Sequence, residues 1–433
     1  MSDTLDDFLH FLQNSPTSWH AARELGNRFA AQDFLPLLEE ESWELVPSGK
    51  YFVEREGSIC AFVLPKTKPK RSVILASHTD SPALKIKPHP ENLKKNAIYL
   101  STEVYGGPIL HSWLGKDLAL AGKIVYSTKE DRIEEALVFI DDTPLIIPEL
   151  AIHLNREVNE KGLIINKQEH LCALATLIDD PEKQKNYLET LLRKHVYFTK
   201  LLAFDLFLVP LESPRRLGMQ GEMIASYRLD NLSSAHACAK ALLAAEEASD
   251  SQTVQMAIFC DHEEIGSSTR HSPPSFLSDV LKRIFLCAGS TEQEYIQSKR
   301  HSFCVSVDVA HAFHPCYSEK YDLNHAPLLG QGIALKTNAN QRYANDALSV
   351  SQIMCLCQKN SLPFQSYVNR SDIPGGSTLG PLIAENVGIR TLDIGVPLLS
   401  MHSSREVVAC QDHFTMCSLL QHVLEGADSH VFT

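Results

Sequence analysis

The stretch Val254-Gln255-Met256-Ala257-Ile258-Phe259-Cys260-Asp261-His262-Glu263-Glu264-Ile265-Gly266-Ser267 joins an apolar run of strand length to a loop with two adjacent carboxylates. A run without polar alternation reads as a strand covered on both faces, as in the sheets of α/β proteins. Glu263 and Glu264 then sit where a buried strand ends. Carboxylates are rarely buried alone, and like charges side by side raise one pKa. The pair needs a cation, a shared proton or full solvation. A solvated acidic loop is the plain reading of these residues by themselves. The sharper one puts one glutamate on a metal and the other beside a water on that metal.

The same pattern recurs on either side. Residues 72–77 form a short apolar run that leads into His78-Thr79-Asp80, and residues 303–307 lead into Asp308. Open α/β sheets bind ligands at the carboxyl ends of their strands. Asp80, two residues after His78, can accept from the second ring nitrogen and fix the tautomer. Asp230, in Arg228-Leu229-Asp230-Asn231-Leu232, lies just ahead of a helix expected over about 233–248. Alone it reads as an N-cap or its neighbour. The last strand, 388–395, leads to a loop containing His402.

Two histidines and three or four carboxylates at element ends are hard to explain as solvated surface. A His/carboxylate set without thiolate suits Zn, Mn or Co and disfavours a structural cysteine site. Five ligands serve two metals if one carboxylate bridges. Two such ions, about 3.5–4 Å apart, can generate hydroxide and clamp a tetrahedral intermediate. A spare carboxylate then serves as general base. His262-Glu263-Glu264-Ile265-Gly266 lacks the second histidine of HExxH, and GxSxG, P-loop and GxGxxG motifs are absent.

The 433 residues suit two domains. Two amphipathic helices open the chain. A hairpin is expected from 43–46 and 51–54, with a further strand at 59–64. Between about 88 and 227, glycine and proline punctuate short alternating strands, with helices expected at 170–178 and 182–195 and a strand at 201–209. This texture predicts an inserted β-rich module. Beyond it come a strand ending in Lys336, helical stretches at 343–358 and 412–424, and a strand at 364–368. Net charge is −13, which argues against nucleic acid and anionic membranes as partners. The opening residues lack the basic and apolar regions of a secretory signal. Eleven scattered cysteines then read as free thiols in a reducing cytoplasm.

The motifs SHTDSP (77–82), RLDNL (228–232), DHEEIGS (261–267), SVDVAHAFHP (306–315), NQRYAND (340–346) and MHSSRE (401–406) resemble the aspartyl aminopeptidase family of cytosolic dizinc metallopeptidases, with bacterial members. Residues 106–123 and 147–159 extend the resemblance into the insert. It implies a phosphorylase/hydrolase-like α/β catalytic domain, residues 1–88 and 228–433, with a mixed central sheet flanked by helices. Residues 89–227 would form the inserted β-rich dimerisation domain. His78 and Asp308 would hold one zinc, Glu264 and His402 the other, and Asp230 would bridge them, with Mn2+ or Co2+ as possible replacements. A metal-bound hydroxide would attack the first peptide bond of a short peptide, with Glu263 as general base and Asp80 orienting His78. Dimers would assemble into a tetrahedral dodecamer, with His153 reaching a neighbouring subunit's site. The family name implies acidic N-terminal residues. An acidic side chain needs a cationic partner, for which Lys336 and Arg342 are candidates. DHEEIGS carries His262 where many relatives have Asn, and MHSSRE carries Ser404 where Ile or Cys is common. These departures bear on specificity, not on the proposed ligands. A carboxypeptidase or deacylase on the same scaffold, and a catalytically idle shell, are the competing readings.

Overall fold

A computed structural model describes residues 2–179, 186–245 and 252–426. The chain divides into two compact units: residues 1–80, 214–401 and 406–433 form the first, and residues 81–213 with 402–405 the second.

A nine-stranded mixed sheet organises the first unit. Its centre is four parallel strands in the order Thr253–Cys260, Arg71–His78, Phe303–Val307, Arg390–Gly395. Every residue of Thr253–Cys260 is buried, as its unalternating sequence predicts. Alternate side chains feed two cores. Val73, Leu75, Ala257 and Phe259 enter one, with the helices Ser2–Gln13, Ser18–Ala30, Leu229–Ala244 and Cys410–Glu425. Ile74, Ala76, Met256 and Ile258 enter the other, with Phe276–Cys287 and Leu379–Asn386. Covering both faces of a sheet is what makes its strands read as continuous apolar runs. Gly395 meets a packing demand: a Cβ there would collide with the backbone carbonyl of Asp308. A five-stranded sheet, Arg215–Leu217, Met223–Ser226, Glu406–Ala409, Pro397–Leu399 and Ala310–His311, completes this unit.

The second unit is built on a closed barrel of six strands. Around the barrel they run Lys200–Pro210, Ala83–Lys94, Ala97–Tyr105, Cys172–Leu177, Ile133–Ile146 and Asp117–Ser127. The last returns to pair with the first, so the barrel has no open edge.

Three local expectations fail. Residues 43–46 form no strand; Lys50–Arg55 makes its hairpin with Ser58–Val63 instead. Trp43 is held by a hydrogen bond from its indole to the Leu38 carbonyl, 2.8 Å, so its apolar residues pack from a loop. Cys172–Leu177 is a barrel strand, not a helix. Six residues are too few for apolar spacing to tell the two periods apart. The helix expected from 343 begins at Ala347, where Asp346 caps it by accepting from the Ser349 amide at 2.6 Å. Of the segment 182–195, Tyr187–Leu192 is helical; residues 182–185 lie outside the described residues, as do 246–248 of the segment 233–248. No helix among the described residues is long and apolar enough to cross a membrane.

Candidate metal centre

The parallel register aligns the carboxyl ends of the central strands. His78 is the Cα partner of Cys260, and Asp308 follows Val307 on the next strand over. His78 is buried, with Nε2 3.4 Å from Asp230 Oδ1 and 3.7 Å from Asp308 Oδ1. Donor atoms of His78, Asp230 and Glu264 lie within 4.8 Å of one another. Asp230 is buried at the head of Leu229–Ala244, outside helical φ/ψ, and its amide donates to Glu406 Oε2 at 3.0 Å. Arg228 is left-handed, with φ 66°, and its guanidinium donates to the Thr79 carbonyl. Asn231 donates to the Val307 carbonyl at 2.8 Å. These bonds tie the start of the helix to the ends of two strands.

The glutamate loop is fixed from below. Asp261 is buried, accepts from Ser18 Oγ at 3.0 Å, and donates its amide to Ser58 Oγ at 2.8 Å. His262 turns the chain with φ 69°, a conformation that costs a side chain about 1–3 kcal/mol and persists where the surroundings over-determine it. Asp80 is part of what over-determines it. One carboxylate oxygen accepts from the Glu263 amide and the other from the Glu264 amide, each at 3.1 Å. The Asp80 carbonyl, not its carboxylate, makes the shorter contact to His78 Nδ1: 3.1 Å against 3.5 Å.

The charges are crowded. Burial pushes the Glu263 carboxyl up to about 8. His78 opposes this, while Asp308, Asp80 and Asp230 reinforce it. Burial alone would lower His78, but hydrogen bonds to Asp230, Asp308 and Asp80 hold it well above the usual histidine range. Lys336 is buried with Nζ 3.7 Å from Asp308 Oδ2 and 5.3 Å from the centre of the Tyr343 ring. Burial would lower its pKa, and Asp308 leads the groups that raise it instead. A surplus of carboxylates around one imidazole, at donor spacing, fits divalent cations of the zinc type.

His402 belongs to the second unit, φ 66°, with Nδ1 3.1 Å from the Gly107 carbonyl. His153 is exposed in the short turn Ile152–Leu154 of that unit. Arg342 is exposed, and its carbonyl accepts from Ser377 Oγ at 3.4 Å. The supporting roles of Arg228 and Glu406 were missed, although both stand in motifs that carry the resemblance.

A mixed sheet with imidazole and carboxylate donors at its carboxyl edge is the setting of an α/β metalloprotein. Residues 11–423 match the family model described as aminopeptidase I zinc metalloprotease (M18). A probable M18 family aminopeptidase 2 of Clostridium acetobutylicum is 39% identical over 413 residues, covering 94% of each chain. Among solved structures, the cryo-EM structure of the Ape4 and Nbr1 complex superposes with TM-score 0.93 and 34% identity, covering 98% of this chain and 86% of that one. The S. cerevisiae mApe1 dodecamer gives TM-score 0.83 and 25% identity, covering 98% and 97%. The chain belongs to the M18 family of zinc metallopeptidases. It is a metallo-aminopeptidase, a hydrolase of peptide bonds.

Proposed function

We propose that this aminopeptidase uses two zinc ions per subunit to release N-terminal residues, acidic ones by preference, from short peptides. The observation that carries the reading is the convergence of His78, Asp230 and Glu264 donor atoms within 4.8 Å of one another, with Glu263 next in the chain. His78 and Asp308 would hold one ion and Glu264 and His402 the other, with Asp230 shared between them. Mn2+ and Co2+ suit the same donors. Bound there, zinc would supply Lewis acidity for the scissile carbonyl and for the attacking water at neutral pH. Glu263 takes the proton of the attacking water and returns it to the leaving amine. Asp80 orients His78 and holds the glutamate loop. Lys336 is the cation assigned to an acidic substrate side chain.

The barrel unit is the dimerisation domain of this reading, and the dimers build a tetrahedral dodecamer in the cytoplasm. His153 reaches the site of a neighbouring subunit. The dodecameric mApe1 relative supports such an assembly. A release profile over peptides differing only in the first residue tests specificity, run on the wild type and on Lys336→Met. Preference for Asp and Glu should collapse toward Leu in the variant. An unchanged ratio assigns Lys336 to Asp308 alone. Metal analysis by mass spectrometry should find two zinc equivalents lost together with activity on chelation.

A further inference from the structure

The first unit holds a second group of ligand-type side chains, away from the strand ends. His413 and Cys417 are four apart on the helix Cys410–Glu425, so they share a face. His236 comes from the facing helix Leu229–Ala244. All three are buried. His236 Nδ1 lies 3.0 Å from His413 Nε2, and Cys417 Sγ lies 3.7 Å from the same Nε2. The three donor atoms fall within 4.8 Å of one another. Tetrahedral zinc with ordinary Zn–N and Zn–S bonds separates such donors by about 3.3–3.6 Å.

Asp7, on the helix Ser2–Gln13, fixes the tautomer. Its Oδ2 is 2.9 Å from His236 Nε2, and its Oδ1 receives Arg28 Nη1 at 2.6 Å. A carboxylate on Nε2 keeps the proton there, which leaves the Nδ1 lone pair aimed at His413 and Cys417. Carboxylate to histidine to metal is the usual order of support in metal sites. A hydrogen-bonded histidine pair is the competing account. One proton between His413 and His236 serves two of the three facing atoms and leaves Cys417 Sγ only its longer 3.7 Å contact to His413 Nε2. A cation serves all three. Phe8 stacks on His413 at 4.0 Å and 11°, which holds the ring in plane.

We propose that His236, His413 and Cys417 form a buried binding site for a zinc-type cation, supported by Asp7 and separate from the catalytic centre. Binding releases the Cys417 thiol proton to solvent as the sulfur–metal bond forms. Three protein donors would leave a fourth position to water; of the three, His236 also lines a cavity of about 230 Å³ with Asp7, Phe11, Arg28 and Lys240. The ion would pin the first helix of the chain to the two helices behind it.

Cobalt distinguishes this site from the catalytic one, because only a cysteine ligand gives a thiolate-to-cobalt charge-transfer band and the catalytic set contains no thiol. The full-length protein is stripped, reloaded with Co2+ and followed by near-ultraviolet absorption and metal analysis. The wild type should show the band saturating at one equivalent. Cys417→Ser should lose the band and one equivalent of metal while peptide hydrolysis stays unchanged. Asp7→Asn, at a partly exposed position that leaves the core intact, should raise the cobalt concentration needed for the band by about 10–100-fold. No band in the folded wild type at saturating cobalt overturns the site and leaves a hydrogen-bonded histidine pair. A band that survives Cys417→Ser also overturns it. Either failure leaves the reading of the catalytic centre untouched.

Discussion

One helix, Leu229–Ala244, serves two clusters of opposite character. Asp230 at its head joins an oxygen-rich set with a single imidazole in contact, built on loops at the ends of strands. His236, six residues on, joins a nitrogen and sulfur set built on helix faces inside the core. The first is crowded with charge and, in the proposed reading, acts on a peptide. The second contains neutral rings and a thiol walled by Phe8 and Phe11. The difference shows where reactivity is tolerated. Strand ends can turn carboxylates toward substrate, whereas a helix-packed interior accepts donors only when they are satisfied in place.

The sharpest way to separate the clusters is Glu263→Gln. Turnover should fall about 10²–10⁴-fold, the usual worth of a general base, while zinc content and the cobalt band stay as in the wild type. Turnover near wild type removes Glu263 from the proton transfer. Phe8→Ala attacks the other side. Phe8 is fully buried against His413 and His236, so the variant should lose about 3–5 kcal/mol of stability, read by urea unfolding. Its turnover per folded molecule should not change; a matching loss of turnover would mean that the two clusters are coupled along the helix.

Asp80→Asn tests the frame of the first cluster. An amide cannot accept equally from both glutamate N–H groups, so zinc affinity or turnover should drop about 10–100-fold. Retention of both would leave Asp80 a turn residue. The smallest effect is on stability with pH in the metal-free chain. Glu263 rises from 4.5 to about 8 on folding, so the folded state holds the extra proton between those values. The melting temperature should fall as pH rises across that window, and His78, also raised, adds in the same direction. Zinc should flatten the profile. A metal-free chain with no slope there would show that the carboxylates are already neutralised by other means.

Much of the first cluster was legible because its strands are covered on both faces. Continuous apolar runs announce themselves, and the residue after each run falls at the rim, which located His78, Asp308 and the glutamate pair. Loops and short strands were less legible. Trp43 packs from a loop yet looks like a strand residue, and Cys172–Leu177 is too short to display its period. The second cluster was invisible in the sequence, because His236 and His413 are 177 residues apart and meet only through helix packing. His413 and Cys417 at i and i+4 were the available hint, but that spacing is equally that of any core-facing pair. Asp7 gave no sign at all, since its partner is set by where the first helix docks.

The grip of one carboxylate on two successive amides has a consequence for redesign. Asp80 works as a jig: it sets the pitch between Glu263 and Glu264 through the backbone, while its charge adds to the crowding that raises Glu263. The two glutamates can therefore be exchanged independently on an unchanged mount. Swapping Glu264 for a different donor should retune which ion is accepted, and the proton-handling neighbour would stay in its slot.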